Sequence, residues 1–175
     1  AKIPGIAWEA FDANELERSA QAVAKLFGDT GLFDFVDIRR ASADGKPGAP
    51  AVVAKRAAKN GKPQVLLYAH HDVQPPGDEN VWQSKPFEPV EKDGRLFGRG
   101  AADDKAGVVT HLAAVKALAD ICGADFDLGL TLFIEGEEEA GSPTFRNFLN
   151  ENKDDLRADV IIVADSRSEE HTSEL

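Results

Sequence analysis

A chain of 175 residues is long enough for one α/β domain with a real core and too short for two full domains. Its 31 acidic against 20 basic residues leave a net charge of −11, which argues against nucleic-acid and anionic-membrane partners. The single cysteine, Cys122, excludes an internal disulfide and favours a cytoplasmic setting, and no apolar run reaches the ~18 residues that a membrane helix needs. The sequence begins at Ala1, shows no secretory signal pattern and contains no methionine, so the original amino terminus is expected to be missing.

Phe11, Leu16, Ala20, Val23, Ala24 and Phe27 recur at helical spacing, and Gly28 is placed to end the run, so residues 12–28 read as an amphipathic helix. Residues 33–39 and 51–55 read as strands. The turn cluster Asp44-Gly45-Lys46-Pro47-Gly48 between them predicts antiparallel pairing. After a second turn signal at Asn60-Gly61 comes Val65-Leu66-Leu67-Tyr68-Ala69-His70-His71-Asp72-Val73, apolar on both alternating faces. That pattern predicts a buried strand of a parallel sheet, and such strands carry chemistry at their carboxyl ends. His70 and Asp72 are two residues apart and point the same way. Asp72 can therefore accept a hydrogen bond from one ring nitrogen of His70 while the other binds a metal; His71 points to the opposite side.

Residues 74–99 are rich in turn formers, with Asp93-Gly94 joining residues 89–91 to 95–97 in a hairpin, and form a long surface excursion beside the site. From Asp103, the residues Val108, Leu112, Val115, Leu118 and Ile121 keep a helical period up to Gly123. Asp103 and Asp104 fall at the helix start, where exposed amides favour negative charge, and His111 reads as a helix-face residue rather than a ligand. A strand over 128–134, a short helix around 143–149, a solvated loop over 150–155 and an apolar buried strand over 159–164 follow. This alternation predicts a three-layer α/β sandwich, a largely parallel central sheet flanked by helices.

Three apolar strands thus end in metal-type ligands: His70 with Asp72, then Glu137-Glu138-Glu139, then Asp165. Asp103 joins them from Gly98-Arg99-Gly100-Ala101-Ala102-Asp103-Asp104-Lys105. A run of three glutamates is by itself usually a solvated loop, and paired aspartates at a helix start are usually a cap. Parallel strands, however, place their carboxyl ends on one edge, and carboxylates converging there repel unless cations neutralise them. Imidazole with carboxylates and no thiolate suits zinc, and also manganese or cobalt.

The stretches Leu66 to Pro76, Gly98 to Lys105 and Glu135-Gly136-Glu137-Glu138-Glu139-Ala140-Gly141-Ser142 resemble the motifs of a co-catalytic zinc peptidase family. That family includes carnosine dipeptidases, carboxypeptidase G, aminoacylase and succinyl-diaminopimelate desuccinylase, and the Gln-Pro-Pro and Glu-Gly-x-Glu-Glu-Ala-Gly-Ser forms are most similar to its dipeptidase branch. The resemblance implies two divalent metal ions, with His70 and Asp165 on the first, Asp103 bridging both and Glu139 on the second. It implies Glu138 as general base toward a water bridging the two metals, Asp72 orienting His70, a cis Asp103-Asp104 bond, and hydrolysis of the amide bond of a dipeptide or short peptide. An N-acyl-amino-acid deacylase or ureidohydrolase of the same fold is the enzymatic alternative. A non-enzymatic acidic cation-binding module, with the three glutamates turned to solvent, is the other.

Family members draw one more histidine for the second metal from near the carboxyl terminus and carry a lid and dimerisation domain; neither is found in this sequence. Residues 1–166 are therefore expected to be the amino-terminal part of a truncated catalytic domain, inactive by itself, with homodimerisation belonging to the absent domain. Residues 167–175, Arg167-Ser168-Glu169-Glu170-His171-Thr172-Ser173-Glu174-Leu175, resemble a translated sequencing-adapter read-through, so His171 is not expected to be a ligand.

Overall fold

The structure, a computed structural model, describes residues 1–165; the 167–175 tail and its His171 lie outside the described residues. In chain order the elements are α1 (Ala13–Gly28), β1 (Phe35–Arg39), β2 (Ser42–Ala43), β3 (Lys46–Pro47), β4 (Ala51–Arg56), β5 (Gln64–His70), β6 (Val90–Lys92), β7 (Arg95–Phe97), α2 (Lys105–Cys122), β8 (Gly129–Glu135), α3 (Phe145–Glu151), α4 (Lys153–Leu156) and β9 (Val160–Val163). Asp12 caps α1 by accepting from the Asn14 amide, and the helix buries Leu16, Ala20, Val23 and Phe27.

Five strands form one sheet in the order β1-β4-β8-β5-β9. The sheet is mixed. β4 runs antiparallel to both β1 and β8, whereas β5 is parallel to β8 and β9. The short connection over residues 40–50 reverses the chain between β1 and β4, and helical crossovers restore direction from β5 to β8 and from β8 to β9. The parallel half is the half that carries the ligand-type residues.

Strand residues alternate between two cores, as a period of two requires. Val52, Ala54, Val65, Leu67, Leu132 and Ile134 face α1 and α2, where Phe27, Val108 and Val115 meet them. Val53, Leu66 and Phe133 face the other way onto Phe148 and Leu156 of α3 and α4, with the Phe133 and Phe148 rings stacked at 5.0 Å. Helices on both faces of the sheet make the three layers expected.

Three local expectations change. The central strand stops at His70 rather than Val73. Residues 153–156 form a helical turn instead of a loop: Leu156 is buried in the second core, and Asp155 takes Arg39 Nη1 at 2.7 Å and Lys55 Nζ at 3.5 Å. The strand over 159–164 is not buried, since β9 is the sheet's edge, with Val160, Ile161, Ile162 and Val163 exposed by 48%, 64%, 48% and 55%. No helix of the described residues is long and apolar enough to cross a membrane.

His111 lies on the buried face of α2, where its Nε2 donates to the Tyr68 carbonyl of β5 at 2.9 Å. Burial lowers its pKa below the ordinary histidine value, with the Tyr68 carbonyl working against the shift. The unfolded chain then binds more protons than the folded one as pH falls through about 6.5, so this contribution is complete above that pH and lost on acidification toward the folded value. His70 and Asp104, both raised, pull in the opposite sense, so the test is a difference. In urea titrations from pH 7.5 to 5.0, wild type should lose stability relative to His111→Gln, whose amide can keep the Tyr68 bond without titrating. A gap between the two that is constant across this range would refute the assignment.

Candidate metal centre

His70 closes β5 with its imidazole fully buried. Its Nδ1 lies 3.3 Å from Asp72 Oδ1 and 3.2 Å from the Asp72 carbonyl. Its Nε2 faces the other way, 3.1 Å from Asp103 Oδ1, 3.5 Å from Asp165 Oδ1 and 3.9 Å from Glu138 Oε2. The parallel registers Leu67↔Ile162 and Ala69↔Ile134 bring the ends of β9 and β8 level with the end of β5, and this alignment delivers Asp165 and the glutamate run to one edge. His71 points to the far side, with Nε2 donating to the Pro50 carbonyl at 2.7 Å.

The three consecutive glutamates divide. Glu137 is buried, taking the Thr144 amide at 2.7 Å, the Thr144 hydroxyl at 2.6 Å and the Ala49 amide at 2.9 Å. Glu138 turns toward His70. Glu139 is held by Gln74, whose amide donates to its Oε2 at 2.7 Å and to its carbonyl at 3.1 Å, and Trp8 Nε1 adds a bond to that carbonyl at 3.3 Å. An acidic surface patch would leave all three in solvent. Asp72 ties the parts together: besides His70 it accepts the Glu138 amide on Oδ1 at 3.2 Å and the Glu139 amide on Oδ2 at 3.0 Å.

One imidazole nitrogen and two carboxylate oxygens, from His70, Asp103 and Asp165, lie within 4.8 Å of one another. Glu139 stands outside this group. The donor chemistry fits a divalent metal: with Nδ1 engaged by Asp72, Nε2 is the nitrogen that faces the carboxylates, and carboxylates with imidazole suit zinc, manganese or cobalt. The electrostatics agree. Burial works to lower the His70 pKa, but the hydrogen bond and charge of Asp72, with Asp104 and Asp165, outweigh it and push the imidazole up to about 10. Burial pushes Asp104 up to about 6, against the His70 amide and charge. Burial also raises Glu138, helped by Asp165 and Glu139 and opposed by His70. Such a cluster has an excess of negative charge that a cation offsets.

Asp104 was legible only as a helix-start charge. It is 2% exposed, and it caps α2 through Gly107 while also accepting the His70 amide; the bond joining it to Asp103 is cis.

The family model described as "Peptidase family M20/M25/M40" matches residues 66–174. A cysteinylglycine-S-conjugate dipeptidase of Corynebacterium striatum is 37% identical over 118 residues, covering 67% of this chain and 26% of its own. A β-Ala-His dipeptidase of Rattus norvegicus is 33% identical over 152 residues, covering 84% of this chain and 31% of its own. The crystal structure of human carnosine dipeptidase 1 superposes with a TM-score of 0.79 at 26% identity, covering 94% of this chain and 36% of that one. The chain therefore spans roughly a quarter to a third of the length of the curated relatives it matches. A family match over most of the strands that converge on His70, together with relatives 37% and 33% identical to it over 118 and 152 matched residues, shows that this chain belongs to peptidase family M20/M25/M40.

Proposed function

We propose that this chain is the metal-holding part of a peptidase that cleaves the amide bond of dipeptides or short peptides. In this reading His70, Asp103 and Asp165 would hold one divalent ion, zinc before manganese or cobalt, and Asp103 and Glu139 would serve a second. Bound ions would supply Lewis-acid polarisation of the substrate carbonyl and offset repulsion among the carboxylates. Glu138 acts as general base, drawing a proton from the attacking water and returning it to the leaving amine. Asp72 fixes the ring of His70 and the backbone of the glutamate turn.

The observation that carries this reading is the position of Glu138, partly exposed and 3.9 Å from His70 Nε2, with a carboxyl raised by burial. A base must have a pKa lifted toward the working pH, whereas a ligand must stay ionised, and neighbours on one turn that point apart can do both. The names of the relatives, acting on cysteinylglycine conjugates and β-Ala-His, support a dipeptide substrate. His71 points to the far side of β5, where its Nε2 donates to the Pro50 carbonyl, and His111 is buried on α2 against the Tyr68 carbonyl, so neither stands beside Glu139 to serve the second ion.

Calorimetric titration of zinc into the 175-residue chain should therefore show one weakly held ion, abolished in Asp103→Asn, with little or no dipeptide turnover. Two tight sites with brisk hydrolysis, or undiminished binding by the Asp103→Asn variant, would overturn the assignment.

A further inference from the structure

The three ligand-bearing segments arrive from different elements: His70 from the end of β5, Asp103 from just ahead of α2, and Asp165 from just beyond β9. One junction touches all three. Asp104 follows Asp103 directly, and its Oδ2 accepts the His70 backbone amide at 3.0 Å while its Oδ1 accepts the Gly107 amide at 3.1 Å. An ordinary helix cap would serve only the second of these bonds. The first crosses from α2 to the strand end.

Gly107 completes the junction from the first turn of α2. A methyl group there would land well inside van der Waals contact with Asp104 Oδ1 and with the carbonyl oxygen of Ala164, and 2.8 Å from Asp104 Oδ2. Ala164 immediately precedes Asp165, and its own amide donates to the Tyr68 carbonyl at 3.0 Å, which ties this segment to β5. Glycine inside a helix is ordinarily inferior to alanine, so a glycine whose missing side chain is where two other segments meet has a packing cause.

We propose that Asp104 and Gly107 are positioning residues that set the mutual register of His70, Asp103 and Asp165, and with it the affinity of the metal centre. The proposal rests on the metal-holding role given to those three residues. Asp104 binds no ion itself, because both of its oxygens are engaged by backbone amides. It acts by fixing where the strand end and the helix start sit relative to each other. Gly107 lets the β9 end approach closely enough for Asp165 to reach His70.

The test is zinc calorimetry on the 175-residue chain and its Gly107→Ala and Asp104→Glu variants, neither of which changes net charge. The absorption spectrum of the cobalt-loaded proteins is the second readout. Val115→Ala, in the core far along α2, serves as the control for simple loss of stability. Both variants should bind zinc at least tenfold more weakly and shift the cobalt bands. Val115→Ala should melt earlier yet bind zinc as wild type does. Affinities of both variants within twofold of wild type would sink the proposal, as would an equal loss in Val115→Ala. Should Gly107→Ala fail to fold by circular dichroism, Asp104→Glu decides alone. A wild-type chain that takes up no zinc would overturn the metal reading itself and this inference with it, an outcome distinct from intact wild-type binding with indifferent variants.

Discussion

Asp72→Ala is expected to destabilise the fold by about 3 kcal/mol and to weaken zinc binding by roughly 10–100-fold. The side chain is fully buried and accepts from the Glu138 and Glu139 amides while its Oδ1 faces His70 Nδ1. Truncation removes these acceptors at once, leaves two backbone donors unpaired and His70 Nδ1 with only the Asp72 carbonyl at 3.2 Å, and opens a void beneath the turn that carries both glutamates. The loss in metal affinity follows separately, because an imidazole whose Nδ1 keeps only a backbone carbonyl loses the carboxylate that orients the ring and raises its basicity. Asp72→Asn, with one acceptor oxygen in place of two, should fall between wild type and alanine on both measures. Urea unfolding and zinc calorimetry on the same preparations check the pair of effects; an alanine variant with an unchanged midpoint would mean that the turn is held by Glu137 and Gln74 alone.

The second large effect concerns solubility. β9 lies at the sheet edge with four consecutive branched apolar residues each about half exposed or more, and Ile121 on α2 is 84% exposed. A flat apolar edge with unpaired backbone groups is a template for pairing with another chain. The 175-residue chain should self-associate at tens of micromolar, visible as fast-sedimenting species in velocity ultracentrifugation. Placing a lysine on each face of the strand, in a Val160→Lys/Ile161→Lys double variant, should return it to monomer, since inward and outward charges on an edge both oppose pairing. The double variant should keep its zinc affinity, because neither residue belongs to the His70, Asp103 and Asp165 group proposed to hold the ion. A wild-type chain that stays monomeric at high concentration would show that this surface is not adhesive.

How much of this was visible beforehand can be judged from particular residues. The layers, the helices α1 and α2 and the hairpin β6–β7 follow from periodicity and turn chemistry, which are local properties. His70 and Asp72 were readable because alternation along an extended segment fixes which side chains share a side. The exposure of β9 was not: an apolar run reports composition, whereas burial depends on whether a neighbour lies alongside, and strand order is not encoded in any single stretch. The helical turn at 153–156 was missed for a related reason, as its acidic residues look solvated until Arg39 and Lys55 are brought across from β1 and β4. The division of labour within Glu137-Glu138-Glu139 was equally hidden. Identical side chains in a row acquire different roles only from what surrounds them, here Thr144 with Ala49, His70, and Gln74.

The pairing of β5 with β9 has a consequence for biosynthesis. It joins segments about 95 positions apart, as the bond from the Gln64 amide to Asp159 shows. Closing so wide a loop is slow and becomes possible only after the intervening helix and strand exist. A ribosome making this polypeptide exposes His70 early and Asp165 last, so the nascent chain cannot assemble the three-residue group until translation has passed β9. Any ion held by that group would therefore be captured only after β9 has paired with β5.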